Sequence, residues 1–133
     1  MLGQSVTIRL EDGKFVLAAP KELDKLNPKE LLLYSTALCA GKTLLRLCEQ
    51  KRVEILKLEI EMSGVLDTEQ LEGRSKFNSF NINYNIECKH ISEQPKISQA
   101  LQLSYEKYCG GLEMLRRIAP VSHSTSIVSI EVE

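Results

Sequence analysis

The sequence predicts a single α+β domain (1–133) in which a largely antiparallel sheet packs around one long apolar helix. Two strictly alternating segments, 56–62 and 80–88, are typical of long antiparallel strands with one buried face. Segment 27–50 instead has apolar residues at helical spacing behind a strong helix-start signal. A single apolar helix between two pairs of strands favours a helix packed on a sheet.

The other elements follow from turns and periodicity. Residues 5–10 and 14–19 are predicted to pair as a hairpin around the turn 11–13, with Gly13 in the left-handed conformation. The charged turn 66–74 joins the two long strands. The C-terminal third is predicted to contain a helix, a second short helix and a final strand: 92–109, 112–119 and 125–133. The final strand is expected to direct three apolar side chains inward: Val128, Ile130 and Val132.

The long helix has a well-defined start. Asn27 is its cap, Pro28 its first residue and Glu30 its third, so Asn27 and Glu30 form a capping box. The helix also contains the stretch TALCAGKT (36–43), which is similar to a phosphate-binding loop. Such a loop needs glycine at its first position, which is Thr36 here, and free backbone N–H groups, which a helix interior lacks. We therefore do not expect nucleotide binding.

Composition narrows the class of partner. Lys and Arg number 17 against 18 Asp and Glu, without a basic run, which argues against nucleic acid and anionic membranes. The longest apolar stretch is expected to be too short for a membrane span, and the N-terminus lacks a signal-peptide pattern, so we expect a cytoplasmic protein. Four scattered cysteines without a CxxC pair, and two histidines, do not predict a metal site.

Helical geometry separates the cysteines of the long helix. Cys48 follows Cys39 by nine residues, so the two thiols point to opposite faces, and Cys48 joins the apolar face. Cys39 lies on a polar stripe with Lys42 and Arg46, and two cations beside a thiol stabilise the thiolate. The alternative is a small side chain on a helix whose cations merely extend into solvent. Cys88 falls on the apolar face of a strand.

Cys109 lies between two helices. Gly110 and Gly111 are expected to interrupt the helical conformation. The positive end of the helix that follows favours a thiolate at Cys109. Cys39 and Cys109 could act as attacking and resolving thiols, or could be unrelated and distant. His123 has no acidic partner at a recognisable offset, so we predict a strand-entry residue, with a role near the cysteines left open.

These residues together resemble the OsmC/Ohr family. Its members carry a Pro-x-Glu-Leu motif with a cysteine eleven residues after the proline, as in Pro28-Lys29-Glu30-Leu31 and Cys39. A second cysteine follows an aromatic-rich helix, here Tyr108-Cys109, and a Pro-Val-Ser segment (120–122) leads into the last strand. The resemblance covers the chain from about Asn27 to the C-terminus.

The resemblance implies an intertwined homodimer with two active sites at the subunit interface. It implies reduction of organic hydroperoxides, with Cys39 as the peroxidatic thiol, Cys109 as the resolving thiol, and an external dithiol in place of a bound cofactor. The alternative is a non-catalytic OsmC-fold protein that binds a small apolar ligand or senses oxidants.

The sequence departs from the peroxidase branch at two supporting positions. Lys29 stands where those peroxidases have a glutamate, and Glu30 comes one place later. Arg9 is the only arginine before the central helix, where the family places one over the thiol. In addition, Cys109 is followed by two glycines and a helix, where those peroxidases continue directly into the Pro-Val-Ser segment. This arrangement is similar to a less characterised bacterial branch. The candidate supporting residues are Glu30, Lys42, Arg46, Arg9 and His123.

Overall fold

The computed structural model describes residues 2–131, which form one sheet and three α-helices. The strands are β1 (Gly3–Glu11), β2 (Lys14–Leu17), β3 (Lys57–Leu66), β4 (Phe77–His90) and β5 (Val121–Glu131). The helices are α1 (Pro28–Gln50), α2 (Gln94–Leu103) and α3 (Gly110–Arg116), and a π-turn (Ser104–Tyr108) follows α2. The strand order is β2-β1-β3-β4-β5. All pairs are antiparallel except β4 with β5. The predicted α+β class is therefore confirmed.

The N-terminal hairpin forms as its turn chemistry predicts. Glu11 pairs with Lys14 across a two-residue turn, in which Asp12 and Gly13 have φ values of 50° and 77°. Positive φ at both central residues matches the right-handed twist of the two strands, so the turn fixes their register. The hairpin forms one edge of the sheet.

Helix α1 covers the sheet with its apolar face. The capping box is present, because Asn27 Oδ1 accepts from the Glu30 N–H at 2.8 Å and Glu30 Oε1 accepts from the Asn27 N–H at 3.0 Å. By length and composition α1 could cross a membrane, contrary to the sequence-based expectation. Half of its most apolar window is nevertheless buried inside the fold, as in a core helix. The core face includes Leu33, Ala37, Ala40 and Leu44, all fully buried.

The final strand differs from its prediction. It begins at Val121 rather than at residue 125, so the polar residues 122–124 also belong to the strand. Its parallel register pairs Thr125 with the buried Tyr84, which places the odd-numbered residues of β5 on the core side. The prediction that Val128 and Ile130 point inward is therefore wrong, and both are more than half exposed. The predicted inward Val132 lies outside the described residues.

The C-terminal helices also have different limits. The predicted helix 92–109 becomes α2 and the π-turn. The helical conformation is interrupted at Cys109, which has φ −90° and ψ 101°. Both of the glycines that follow belong to the first turn of α3. A cysteine in an extended conformation, rather than a glycine, therefore separates the two helices.

The start of α1 makes stability depend on pH. Burial opposes the ionisation of Glu30. This effect is outweighed by the hydrogen bond from Lys21 at 2.5 Å, the hydrogen bond from the Asn27 N–H and the positive charge of Lys21, so the Glu30 pKa lies below 4.5. Because the Glu30 pKa is lower in the folded than in the unfolded protein, ionised Glu30 stabilises the fold at pH values above its unfolded-state pKa. This stabilisation is lost as the pH falls through the Glu30 pKa of the folded protein.

We expect Glu30→Gln to lower the free energy of unfolding by about 1 kcal/mol at pH 7, because Gln keeps the capping acceptor but loses the charge. The difference should close below pH 4.5, measured by urea unfolding across pH. Glu59→Gln is the control, since its ion pair with Arg9 is exposed and should change stability by less than about 0.5 kcal/mol. A deficit for Glu30→Gln that persists at low pH would contradict the ion-pair explanation.

Candidate active site: a thiol pair between two helices

Cys39 and Cys109 meet where α3 packs against α1. The Cys109 thiol donates to the Cys39 sulfur across 3.3 Å, although the two residues are 70 positions apart. Cys39 is partly exposed, whereas Cys109 is buried, and both are free thiols. A disulfide has an S–S bond of about 2.05 Å, so bond formation requires the sulfurs to approach by about 1.3 Å.

The backbone around Cys109 directs its sulfur toward α1. Its N–H donates to the Ser104 carbonyl at 2.9 Å, which closes the π-turn, and its own carbonyl accepts from the Glu113 N–H at 3.1 Å. The residue therefore ends one helical segment and caps the next. Backbone N–H groups of Leu112 and Gly111, in the first turn of α3, point at its sulfur and favour the thiolate.

Gly111 allows α3 to approach α1 closely. A Cβ at this position would lie 3.3 Å from the Cys39 Cβ, which is tighter than ordinary van der Waals contact, and 3.4 Å from the Thr36 Cα. A Cβ at Gly110 would meet nothing within 4 Å. Of the two glycines, it is therefore Gly111 that lies in close contact with α1.

The π-turn is held by a residue that sequence reasoning missed. Both terminal nitrogens of Arg116 donate to the Tyr105 carbonyl, at 2.7 and 2.5 Å, and the guanidinium lies 4.8 Å above the Tyr105 ring. Tyr105 in turn donates its hydroxyl to the Val121 carbonyl at 2.7 Å. The wider hydrogen-bond spacing of the π-turn leaves the Tyr105 carbonyl available as an acceptor, and Arg116, eleven residues later, donates to it. No sequence motif specifies this pairing.

Burial governs the acidity of Cys109. It raises the Cys109 pKa to about 12, with smaller upward contributions from Cys39, although the N–H groups of Leu112 and Gly111 oppose the shift. The first turn of α3 favours the thiolate in the expected direction, but desolvation exceeds the effect of one short helix and keeps the Cys109 pKa above its ordinary value. In the reduced protein Cys109 is a thiol that donates to Cys39.

The predicted cations do not contact the thiols. Lys42 and Arg46 are exposed and line a surface groove with Phe15 and Tyr34. Within residues 2–131, neither cation makes a hydrogen bond or ion pair to Cys39. The polar stripe of α1 therefore contains two kinds of residue. Lys42 and Arg46 are exposed, whereas Cys39 lies on the side that packs against α3.

The remaining predicted residues occupy other parts of the chain. Arg9 pairs with Glu59 at 3.2 Å on the sheet face opposite α1, since its neighbour Ile8 faces the core. Glu30 serves the capping box of α1 and the ion pair with Lys21. His123 stacks on the Tyr105 ring at 4.1 Å between centroids, so it contacts the π-turn rather than the cysteines.

The other two cysteines lie in the core, as their helical and strand faces predict. Cys48 is 2% exposed, and burial raises its pKa to about 11 despite the Lys51 charge. Cys88 is fully buried and its thiol lies 3.5 Å from the His90 carbonyl oxygen. Across residues 2–131, no three His, Cys, Asp or Glu side chains form a group that could hold a metal ion.

The fold and the thiol pair define a class of protein. The profile of the OsmC-like proteins matches residues 20–124, well over half of the chain. The chain therefore belongs to the OsmC-like family, and the resemblance seen in the sequence is confirmed.

Individual relatives are more distant. Protein YhfA of Escherichia coli K12 is 20% identical over 103 residues, which span 77% of this chain and 74% of YhfA. A hypothetical protein of Aquifex aeolicus VF5 superposes with a TM-score of 0.65 at 27% identity, covering 90% of this chain and 82% of the other. The organic hydroperoxide resistance protein OhrB of Bacillus subtilis gives a TM-score of 0.58 at 21% identity, covering 75% and 70%. This last similarity shows a shared fold.

The two glycines at the start of α3 provide a matched test of the thiol geometry. Gly111→Ala should force α3 away from α1, which lowers the free energy of unfolding by about 1–3 kcal/mol and slows disulfide formation. Gly110→Ala meets no atoms and should form the disulfide at the wild-type rate. Intact-mass measurement of the 2 Da loss during diamide oxidation follows the reaction. Equal rates for the two variants would show that close packing at Gly111 does not set the distance.

Proposed function

We propose that the protein is a cysteine-dependent peroxidase that reduces organic hydroperoxides, with Cys39 as the peroxidatic thiol and Cys109 as the resolving thiol. The observation that carries the proposal is the 3.3 Å contact between the two sulfurs. Cys39 is the more accessible of the two, so it is the thiol that a substrate reaches first. Similarity in fold to OhrB, an organic hydroperoxide resistance protein, supports the substrate class.

The first step is attack by the Cys39 thiolate on the terminal oxygen of the hydroperoxide. A sulfur–oxygen bond forms, the O–O bond breaks, and the alkoxide leaves and takes up a proton to become the alcohol. The sulfur is oxidised to a sulfenic acid and the hydroperoxide is reduced by two electrons.

The second step uses the neighbouring thiol. Cys109 loses its proton, its sulfur bonds to the Cys39 sulfur, and the sulfenic oxygen leaves with the protons as water. An external dithiol then reduces the disulfide, and is itself oxidised to a disulfide, to regenerate both thiols. No bound cofactor is required by this cycle. The need for a reductant favours a reducing compartment, so we infer a cytoplasmic location.

A non-catalytic OsmC-fold protein, which binds a small apolar ligand or senses oxidants, is the second candidate. Two observations favour it. Lys42, Arg46 and Arg9 make no hydrogen bond or ion pair to Cys39 in the described part of the chain, and Glu30 is used by the start of α1. An oxidant sensor needs the same pair of thiols but no efficient turnover, so the two candidates differ in rate rather than in chemistry.

Turnover of cumene hydroperoxide with a dithiol reductant separates the candidates. Cys39→Ser should abolish consumption above background, because it removes the attacking sulfur. Cys109→Ser should form a stable sulfenic acid, trapped by dimedone, without the disulfide. Cys48→Ala is the control thiol in the core, and should keep wild-type turnover if it folds. If wild type and Cys39→Ser consume hydroperoxide equally, the peroxidase proposal is wrong.

We also infer that the chain forms a homodimer. Large apolar side chains remain exposed near the start of α1 and around α3: Leu31, Leu32, Tyr108, Met114 and Ile118. An exposed apolar patch on a small domain is typical of an interface. Because the patch lies beside α1 and α3, a dimer through it would place the thiol pair near the subunit boundary.

Analytical ultracentrifugation tests the homodimer. Wild type should sediment as a dimer, and the double substitution Met114→Lys with Ile118→Lys should sediment as a monomer, because it places charges in the apolar patch. Leu23→Lys is the control, at a half-exposed leucine that precedes α1. Wild type that sediments at the mass of one chain would contradict the inference, as would a charged double variant that remains dimeric.

A further inference from the structure

Cys109 is the joint between the π-turn and α3, and its conformation decides where its sulfur points. The residue is extended, with φ −90° and ψ 101°, between two helical segments. Its N–H donates to the Ser104 carbonyl in the π-turn at 2.9 Å, and its carbonyl accepts from the Glu113 N–H in α3 at 3.1 Å. A rotation of one segment against the other at this joint would therefore move the Cys109 sulfur away from Cys39.

Arg116 links the same two segments at a second point. Its terminal nitrogens donate to the Tyr105 carbonyl of the π-turn at 2.7 and 2.5 Å, and the guanidinium lies 4.8 Å above the Tyr105 ring. The Arg116 side chain is only 27% exposed, so these charge-assisted bonds are shielded from much of the surrounding water. Arg116 therefore closes the segment 105–116 at its base, and Cys109 lies within that closed segment.

The closed segment is also tied to the sheet. Tyr105 donates its hydroxyl to the Val121 carbonyl at 2.7 Å, and Val121 is the first residue of β5, which pairs with β4. Helix α1, which carries Cys39, packs its apolar face on the same sheet. Through Tyr105 and Arg116, the resolving thiol is therefore held relative to the same framework as the thiol that it must reach.

Hydrophobic burial is the alternative explanation for the position of α3. Leu112 and Leu115 are 0% and 1% exposed, so α3 is anchored in the core without Arg116. The hydrophobic effect is non-directional, whereas hydrogen bonds depend strongly on angle. Burial therefore keeps α3 against the core, and the contacts of Arg116 fix the orientation of α3 relative to the π-turn.

We propose that Arg116 is a positioning residue for the resolving step: by clasping the π-turn to α3, it keeps the Cys109 sulfur in contact with Cys39, so that disulfide formation outruns further oxidation of Cys39. This inference rests on the proposed function. Because burial raises the Cys109 pKa to about 12, little of this thiol is ionised at pH 7. The rate of the step therefore depends on how long the two sulfurs remain in contact.

The competing reaction consumes a second hydroperoxide molecule. The sulfur of the Cys39 sulfenic acid attacks the terminal oxygen, a second sulfur–oxygen bond forms, the O–O bond breaks and the alcohol leaves. Cys39 becomes a sulfinic acid and the second hydroperoxide is reduced by two electrons. A dithiol does not reverse this oxidation, so each such event removes one protein molecule from the cycle.

The first experiment follows a single turnover with one equivalent of cumene hydroperoxide. Dimedone trapping measures the sulfenic acid, and the loss of free thiols measures the disulfide. In Arg116→Ala the sulfenic acid should form at the wild-type rate, but the disulfide should form about tenfold more slowly, which corresponds to the loss of a charge-assisted hydrogen bond. Arg117→Ala is the matched control, because the neighbouring Arg117 is mostly exposed and pairs with Glu113 at 3.4 Å. It should form the disulfide at the wild-type rate.

Excess hydroperoxide provides the second readout. Intact mass should show mainly the disulfide in wild type and Arg117→Ala, about 2 Da lighter than the reduced chain. Arg116→Ala should accumulate the sulfinic acid, about 32 Da heavier than the reduced chain, because its sulfenic acid persists for longer.

Rescue separates positioning from a general packing defect. Arg116→Lys keeps a charged donor but not the planar fork, so its rate of disulfide formation should lie between those of wild type and Arg116→Ala. Guanidinium chloride, far below denaturing concentration, should accelerate disulfide formation in Arg116→Ala, whereas equal sodium chloride should not. If Arg116→Ala does not fold, Arg116→Lys compared with Arg117→Lys makes the same test.

Two results would overturn the proposal. Disulfide formation at the wild-type rate in Arg116→Ala would show that the burial of Leu112 and Leu115 is enough to place Cys109. A slowing that extends equally to the sulfenic acid step, or that neither Arg116→Lys nor guanidinium relieves, would indicate a general packing defect instead.

A diamide arm separates this inference from the peroxidase proposal. The Cys39 thiolate adds to the N=N bond of diamide, and Cys109 then forms the disulfide and displaces the reduced hydrazine, so the attack by Cys109 is measured without hydroperoxide. If wild type does not react with hydroperoxide but Arg116→Ala slows the diamide disulfide, the peroxidase proposal fails and the role of Arg116 stands. If hydroperoxide turnover is normal and Arg116→Ala matches wild type in both arms, the role of Arg116 fails alone.

Discussion

The close approach of α3 to α1 at Gly111 is the contact on which the site depends. A glycine there lets the backbone of α3 lie against Thr36 and Cys39, and this brings the Cys109 sulfur to 3.3 Å from the Cys39 sulfur. Since α1 is itself fixed by burial on the sheet, the position of α3 decides whether the two thiols can react with each other. Family membership follows from the chain as a whole, whereas the chemistry depends on this one packing distance.

Burial gives the two thiols different roles. Cys39 is open to small molecules, whereas Cys109 is covered and has a pKa raised to about 12 by the same packing that holds it near Cys39. In the proposed cycle, burial protects Cys109 from direct oxidation but disfavours the thiolate that must attack Cys39. The N–H groups in the first turn of α3 favour the charged sulfur and so offset part of the effect of burial.

Two of the residues that the sequence suggested as supports for Cys39 are used elsewhere in this chain. Glu30 and Arg9 make ion pairs with Lys21 and Glu59, at the start of α1 and on the outer sheet face respectively. These pairings stabilise the fold locally, and among the described residues neither Glu30 nor Arg9 makes a hydrogen bond or ion pair to Cys39. Arg116, which no motif marked, instead holds the π-turn that positions Cys109.

Local patterns in the sequence determined the fold class, the capped start of α1, the hairpin turn and the faces on which Cys48 and Cys88 are buried, because each depends on periodicity or on neighbouring residues. The inward face of β5 and the break at Cys109 could not be read in this way. The first depends on the register of β5 beside β4, and the second on a π-turn closed by Arg116. The contact between Cys39 and Cys109 was decided by tertiary structure alone, since 70 residues separate them and only the packing of α3 on α1 fixes their distance.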